Sequence, residues 1–214
     1  MIAVCGVPRS RVSPGSSERK KSRTTRPGAR KSLLVLTIGH STRRLQEFIE
    51  MLQAHGIKRL VDVRTVPRSR YNPQFNRDTL PKSLGKAGIT YVHMPELGGL
   101  RHPRADSQNA GWRNASFRGF ADYMQTPEFA AGLETLMGSA GEEQIALMCA
   151  EALPWRCHRS LIADALMVHG ASVEHIMSTT ARQAHALTPW ARVRGKRLTY
   201  PAQTGRHRQK SGDT

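Results

Sequence analysis

The chain has 214 residues, which is enough for one well-buried domain and short for two. Its 33 lysines and arginines outnumber the 16 acidic residues, so the net charge is +17 at pH 7. No stretch reaches the roughly 18 apolar residues needed to cross a bilayer, and three cysteines are too few for a disulfide scaffold. These features exclude a membrane protein and a disulfide-rich secreted protein, and they predict a cytoplasmic one.

The positive charge is concentrated at the two ends. Residues 1–32 contain nine lysines or arginines and one acidic residue, and residues 179–214 contain eight and one. Residues 1–32 have too few apolar side chains to offset the entropy lost on ordering, so we predict a disordered basic tail there. Residues 202–214 are predicted to be a second basic tail, which leaves 33–201 as the folded domain. Such tails attract polyanions, including nucleic acid, without specifying a partner.

The pattern from residue 33 onward predicts alternating strands and helices. The apolar run "LLVLTIGH" is typical of a strand buried on both faces of a parallel sheet. Helical spacing from Leu45 predicts the first helix, with Ser41 or Thr42 as its cap and Gly56 as its stop. Further strands are predicted at 59–64, 89–94, 144–151 and 172–177, further helices at 79–87, 117–124, 128–137 and 157–170, and a hairpin turn at 194–196. The fold class is therefore α/β, a single domain with a mostly parallel sheet of about five strands flanked by helices.

Residues with acid–base, nucleophilic or anion-binding side chains occur where the predicted strands end. The first strand ends at His40, the second leads into Asp62 and Arg64, and the fourth leads into Cys149 and Glu151. Ligands of open parallel sheets bind at this edge, so we predict one site there. The two-residue strand period places Asp62 and Arg64 on one face, where they are expected to pair, either as a structural ion pair or as an anion-binding arginine with its support.

The segment "LMCAEALPWRCHRS" is the most specific signal. It places Cys157, His158 and Arg159 in the first turn of a predicted helix, where cations oppose the helix dipole and so indicate a compensating anion. A cysteine in that setting is expected to have a lowered pKa and to be nucleophilic. Cys149, Cys157 and His158 could also ligate zinc with His40 or Asp62, but the cysteine spacing is not the usual one, so no metal is predicted. The loop "PRSRYNPQFN" mixes arginines with aromatic groups, which suits either phosphate plus a flat base or an exposed basic loop.

Several motifs occur in order from about Val35 to Pro201, namely "TIGHS", "VDVRTVPRSRYNPQFN", "GITYVHMPELGGLR", "FADYMQTPEF", "ALMCAEALPWRCHRSLIADAL" and "VEHI". Together they resemble the family called domain of unknown function 488. The resemblance implies an intracellular α/β domain without an established reaction. Its motif residues correspond here to His40, Ser41, Asp62, Arg64, Pro67, Ser69, Gly98, Gly99, Cys149, Glu151, Cys157, His158 and Arg159.

The leading hypothesis is an enzyme acting on a phosphate-bearing nucleotide or a nucleic-acid-derived substrate, without a cofactor. The catalytic candidates are Cys157, His158, Glu151, His40, Asp62 and Cys149. The substrate-binding candidates are Arg64, Arg68, Ser69, Arg70, Tyr71, Gly98, Gly99 and Arg159. Two other hypotheses stay open: a noncatalytic nucleic-acid-binding module that uses its basic tails, and a zinc-stabilised structural domain. The expected partner is thus an anionic small molecule or nucleic acid.

Overall fold

A computed structural model describes Met1 and residues 33–203. The predicted basic tails at 1–32 and 202–214 lie almost entirely outside the described residues. The strands are β1 Leu34–Gly39, β2 Arg59–Asp62, β3 Thr90–His93, β4 Ile145–Cys149, β5 Ser172–Ile176, β6 Arg182–Ala184, β7 Arg192–Arg194 and β8 Arg197–Thr199. The α-helices are α1 Leu45–Ala54, α2 Leu80–Lys86, α3 Ala115–Tyr123, α4 Pro127–Glu142 and α5 Arg159–Val168.

Residues 33–203 form one α/β domain around a six-stranded sheet in the order β3-β2-β4-β1-β5-β6. The pairings among β1 to β5 are all parallel, and β6 joins β5 antiparallel. The predicted fold class is confirmed, whereas β6 was missed because its three residues are exposed and show no apolar alternation. A separate two-stranded hairpin, β7 with β8, turns at residues 195–196 as predicted.

Helices cover both faces of the sheet, which is why its central strands are apolar throughout. On one face, α1 and α2 pack Phe48, Leu52 and Leu84 against Leu36 and other strand residues. On the other face, α3, α4 and α5 form a second cluster that also includes the C-terminal segment. No helix in residues 33–203 has the length and hydropathy of a membrane span.

Two helix starts differ in detail from the predictions. Neither Ser41 nor Thr42 caps α1; its N-cap is Arg44, which makes no side-chain cap hydrogen bond. Ser41 instead adopts a left-handed backbone conformation (φ 48°) that turns the chain out of β1. Helix α5 begins at Arg159 with His158 as its N-cap, so Cys157 precedes the helix rather than lying in its first turn.

Candidate functional site

A cleft of about 610 Å³ opens at the carboxyl edge of the sheet, beside the ends of β1, β2 and β4. The chain leaves β1 toward β2 and leaves β4 toward β5, in opposite directions, so the crevice between these adjacent strands is a topological switch point. Its volume lies in the range of small-molecule sites, roughly 300–1,000 Å³. Most of the predicted site residues lie on its walls: His40, Arg64, Arg68, Ser69, Gly99, Cys149, Glu151, Cys157 and His158. The convergence predicted from the strand ends is therefore observed.

Asp62 and Arg64 form a buried ion pair that supports one wall of the cleft. Arg64 Nη2 lies 2.6 Å from Asp62 Oδ2, and Arg64 Nε lies 2.9 Å from Oδ1. The Tyr91 hydroxyl also donates to Asp62, at 2.7 Å, and Arg64 Nη2 donates to the Phe75 carbonyl. Burial disfavours the charged guanidinium, but the bonds to Asp62 outweigh it and raise the pKa of Arg64. Asp62 itself is fully buried and does not line the cleft, so it holds the arginine rather than meeting a ligand.

His40 is held in one tautomer by its neighbours. Its Nδ1 lies 2.9 Å from the Ser41 carbonyl and so donates, while its Nε2 accepts from Arg64 Nη1 at 3.2 Å. The ring stacks on Phe75 with centroids 4.3 Å apart. Burial lowers the pKa of His40 to about 4. Because both nitrogens are occupied and the ring stays neutral, the predicted proton-transfer role does not suit His40, which instead orients Arg64.

His158 aims one nitrogen at two sulfur atoms. Its Nε2 donates to the Val63 carbonyl at 3.0 Å, which leaves a lone pair on Nδ1. That Nδ1 lies 3.7 Å from Cys157 Sγ and 4.0 Å from Cys149 Sγ. Gly99 lies against the ring, and a Cβ added there would lie 2.5 Å from Nδ1. The imidazole can therefore accept a proton from a thiol. Gly99 contributes by having no side chain, which leaves space for the imidazole ring.

The two thiols beside His158 are free and differ in acidity. A hydrogen bond from the Cys149 thiol is the main cause that holds the pKa of Cys157 well below its ordinary value, against the effect of burial. His158 and the charge of Arg159 lower it further. The same hydrogen bond, together with burial, raises the pKa of Cys149. These effects make Cys157 the more acidic thiol of the pair, and its nucleophilic role stays a prediction.

Arg159 does not line the cleft, contrary to its predicted role in binding an anion. Its side chain is 1 % exposed and points under the cleft floor because α5 is buried on nearly every side. Nη2 donates to the Glu151 carbonyl at 2.6 Å, and Nη1 donates to Thr37 Oγ1 at 3.3 Å. Arg159 therefore fixes the loop after β4 and places a positive charge below the cysteines. Within residues 33–203 it has no carboxylate partner of its own.

A chain of buried hydrogen bonds instead connects Arg159 to a carboxylate. Thr37 Oγ1 lies 2.7 Å from His175 Nδ1, and His175 Nε2 lies 3.1 Å from His185 Nδ1. His185 Nε2 then lies 2.8 Å from Asp164 Oδ1. When both imidazoles are neutral, the carboxylate accepts from His185 Nε2, so every bond in this relay runs from Arg159 toward Asp164 and both rings carry their proton on Nε2. No sequence pattern indicated this relay.

The remaining predicted residues lie in different positions. Arg68, Ser69 and Glu151 are on the cleft walls, whereas Arg70, Tyr71 and Gly98 are not. Tyr71 is 94 % exposed, so the ring predicted to stack on a base lies outside the cleft. The walls also contain residues absent from the predicted list, chiefly Ser41, Asn72, Phe117 and Arg156. Arg156 had a sequence signal, because it directly precedes Cys157.

Three groups in the cleft have donor atoms close enough to share a metal ion. The sulfurs of Cys149 and Cys157 and a nitrogen of His158 all lie within 4.8 Å of one another. The fourth ligands considered from sequence, His40 and Asp62, are engaged with Arg64 and are not members of this group. The closed four-ligand set that a structural zinc requires is therefore not formed by the described residues.

Fold and site together define an α/β protein with a cationic, cysteine-containing cleft at the switch point of its sheet. Residues 44–166 match the family model described as "Domain of unknown function DUF488". The chain belongs to that family, which confirms the resemblance seen in the sequence motifs. No curated protein and no solved structure matches the chain.

Proposed function

We propose that the protein is an enzyme that acts on a phosphate-bearing nucleotide or a nucleic-acid-derived substrate, with Cys157 as nucleophile and His158 as its base. The observation that carries this proposal is the His158 lone pair, which faces both sulfurs inside a substrate-sized cleft. Nucleophile, base and the carbonyl that orients the base are the three parts of an activated-nucleophile site. In the described residues, they are Cys157, His158 and Val63.

The charges on the cleft walls support an anionic substrate. Arg64, Arg68 and Arg156 line it, whereas Glu151 is the one carboxylate among the described lining residues. Clustered guanidinium groups bind phosphate oxygens with charge-assisted hydrogen bonds. Arg64 is fixed in place and 6 % exposed, while Arg68 and Arg156 are exposed and free to follow a ligand.

Apolar groups beside the arginines support a substrate with a flat or apolar part. Val66, Leu100 and Phe117 line the same cleft, and Val66 and Leu100 are 60 % and 70 % exposed. A bound ligand would remove that apolar surface from water, which is favourable. A nucleotide combines such a group with phosphate, so it fits both kinds of wall.

The chemistry that follows is nucleophilic catalysis. The Cys157 thiolate forms a bond to an electrophilic centre of the bound substrate as the bond to the leaving group breaks. His158 holds the thiol proton on Nδ1 and gives it to the leaving atom. Water, deprotonated by the same nitrogen, then cleaves the covalent intermediate and restores the thiolate.

Iodoacetamide labelling across pH tests the thiol, in a Cys5→Ser background that removes the third cysteine. We expect Cys157 to be labelled first, with an apparent thiol pKa below the free value of about 8.5. Inorganic phosphate should slow labelling, and Arg68→Ala should weaken this protection. Arg70→Ala is the matched control, because Arg70 lies two residues away and outside the cleft. A Cys157 pKa at or above 8.5 would remove the thiol mechanism, and equal protection in both arginine variants would remove the anion site.

A second candidate function is noncatalytic nucleic-acid binding, which a basic groove on the C-terminal hairpin favours. Arg192, Arg194 and Arg197 line that groove. Such a surface would add to the affinity supplied by the basic tails. Deleting residues 1–32 and 202–214 should then weaken retardation of nucleic acid and reduce its salt dependence. A full-length protein that fails to retard nucleic acid at low salt excludes this function.

A further inference from the structure

We infer that Cys149, Cys157 and His158 form a zinc-binding site with an open fourth position, and that zinc reversibly masks the nucleophile of the cleft. The proposed binding site is inferred from the positions of the three donor atoms alone. The masking rests on the proposed function, because it concerns the reactivity of Cys157.

The donor separations are close to those of a zinc centre. Zinc–sulfur bonds of about 2.3 Å and zinc–nitrogen bonds of about 2.0–2.1 Å at a tetrahedral angle place sulfur and nitrogen about 3.5 Å apart. The Nδ1 atom of His158 lies 3.7 Å from one sulfur and 4.0 Å from the other. All three donors lie within 4.8 Å of one another. At the same angle two zinc-bound sulfurs lie about 3.8 Å apart, so side-chain movements of up to about 1 Å bring the three donors to bonding positions around one ion.

The residues around His158 orient its ring in the way that metal-binding histidines are usually oriented. A ligating histidine nearly always donates its second N–H to a carbonyl or carboxylate, which fixes the free nitrogen toward the metal. Here Nε2 of His158 donates to the Val63 carbonyl at 3.0 Å. Gly99 and the edge of Phe120 confine the ring from the sides. The lone pair is thus set before any ion arrives.

The site is open on the cleft side. His40 and Asp62 are bound to Arg64, so neither is free to complete the coordination. The three donors line the cleft, where water or a substrate oxygen can take the fourth position. Three protein ligands with an open fourth position distinguish reactive zinc sites from structural ones. The zinc-stabilised structural domain considered from sequence is therefore replaced by an exchangeable site in the cleft.

Occupancy has a direct chemical consequence. A thiolate bound to zinc shares its electron pair with the metal, so it cannot attack an electrophile or iodoacetamide freely. At a free zinc concentration 100 times Kd about one site in 100 is empty, so labelling of Cys157 should slow by about 100-fold. A chelator removes the ion and should restore the rate. Zinc would then switch the cleft between a reactive and a masked form.

Metal binding is measured on full-length Cys5→Ser protein, with cobalt as the spectroscopic probe and zinc as its competitor. We expect one ion per chain, with the absorption of a tetrahedral thiolate–cobalt site. Cys149→Ser and His158→Gln should each weaken binding by more than the roughly 10- to 100-fold typical of losing only an outer hydrogen bond. His55→Gln is the matched histidine control, because His55 bonds the Ser178 carbonyl away from the cleft and should leave the affinity unchanged.

The outcomes separate this inference from the proposed function. Folded protein that binds neither cobalt nor zinc, or binds them equally well in both ligand variants, overturns the site. Binding that leaves the rate of Cys157 labelling unchanged overturns the masking. Labelling of metal-free protein tests the nucleophile independently, so the zinc site can hold even when the thiol mechanism fails.

Discussion

Replacing Asp62 by alanine should strongly destabilise the fold because its ion pair with Arg64 is buried. A second aspartate–arginine pair, which is exposed, provides a matched control for the effect of burial. Asp62–Arg64 and Arg104–Asp106 are both aspartate–arginine pairs two residues apart with two-pronged contacts. The side chains of Asp62 and Arg64 are 0 % and 7 % exposed, whereas those of Asp106 and Arg104 are 72 % and 68 % exposed. The two pairs therefore differ mainly in burial.

The expected magnitude follows from what Asp62 contacts. Its carboxylate accepts the Nε and Nη2 donors of Arg64, the Arg64 backbone N–H and the Tyr91 hydroxyl. Asp62→Ala leaves a buried guanidinium uncompensated, which costs about 3–5 kcal/mol of unfolding free energy. Asp106→Ala removes a pair that water already screens, so the urea midpoint should barely change.

Urea unfolding followed by circular dichroism measures both variants. Asp62→Ala should lower the midpoint without changing the slope m, which would indicate a change in stability alone. Tyr91→Phe, which removes one bond to the same carboxylate, should give an intermediate loss of about 1.5–3 kcal/mol. Equal midpoints for the Asp62 and Asp106 variants would show that burial does not decide the contribution of these pairs.

Three further predictions concern the histidines, the glycines and the relay. Burial lowers the pKa of His175 to about 4, so between pH 6.5 and 4 the unfolded chain binds a proton that the folded chain does not. The free energy of unfolding should therefore decrease by up to about 1.4 kcal/mol for each pH unit below 6.5, and less steeply in His175→Gln. Urea midpoints at pH 7, 6 and 5 measure this dependence. Gly99→Ala should displace the ring of His158 and slow the labelling of Cys157. Gly138→Ala, in open space on α4, should leave the labelling rate unchanged and keep or increase the free energy of unfolding. Equal labelling rates in the two variants would contradict the assigned role of Gly99. Tyr200→Phe should cost about 1.5–3 kcal/mol because the hydroxyl donates to buried Asp164 at 2.7 Å, and an unchanged melting temperature would refute this.

The strand pattern predicted the fold and the edge of the site because both follow from local sequence. A continuous apolar run such as residues 33–38 indicates a doubly covered strand, and parallel strands bring their ends together. The pairing of Asp62 with Arg64 follows from the two-residue period alone. The order of strands does not: nothing local indicates that β4 lies between β2 and β1, which is the arrangement that brings Cys149 beside His40.

The side chains that sequence reasoning misplaced are those whose direction depends on packing. Arg159 was expected to face a ligand, but α5 is enclosed on most sides, and its guanidinium bonds carbonyls below the cleft. The relay was invisible because its members come from distant segments without any periodic signal. Tyr71 was expected at the site from composition, yet the loop turns it outward.

The relay also shows how much chain the folded unit needs. The stretch that matches the family model ends at residue 166, before β5, and begins at residue 44, after β1. That stretch alone would lack a central strand of the sheet, and Arg159 would lose Thr37 and both imidazoles of the hydrogen-bond chain that connects it to Asp164. We therefore expect a fragment that folds on its own to include at least Leu34 to Tyr200, and a shorter one to expose sheet edges and aggregate.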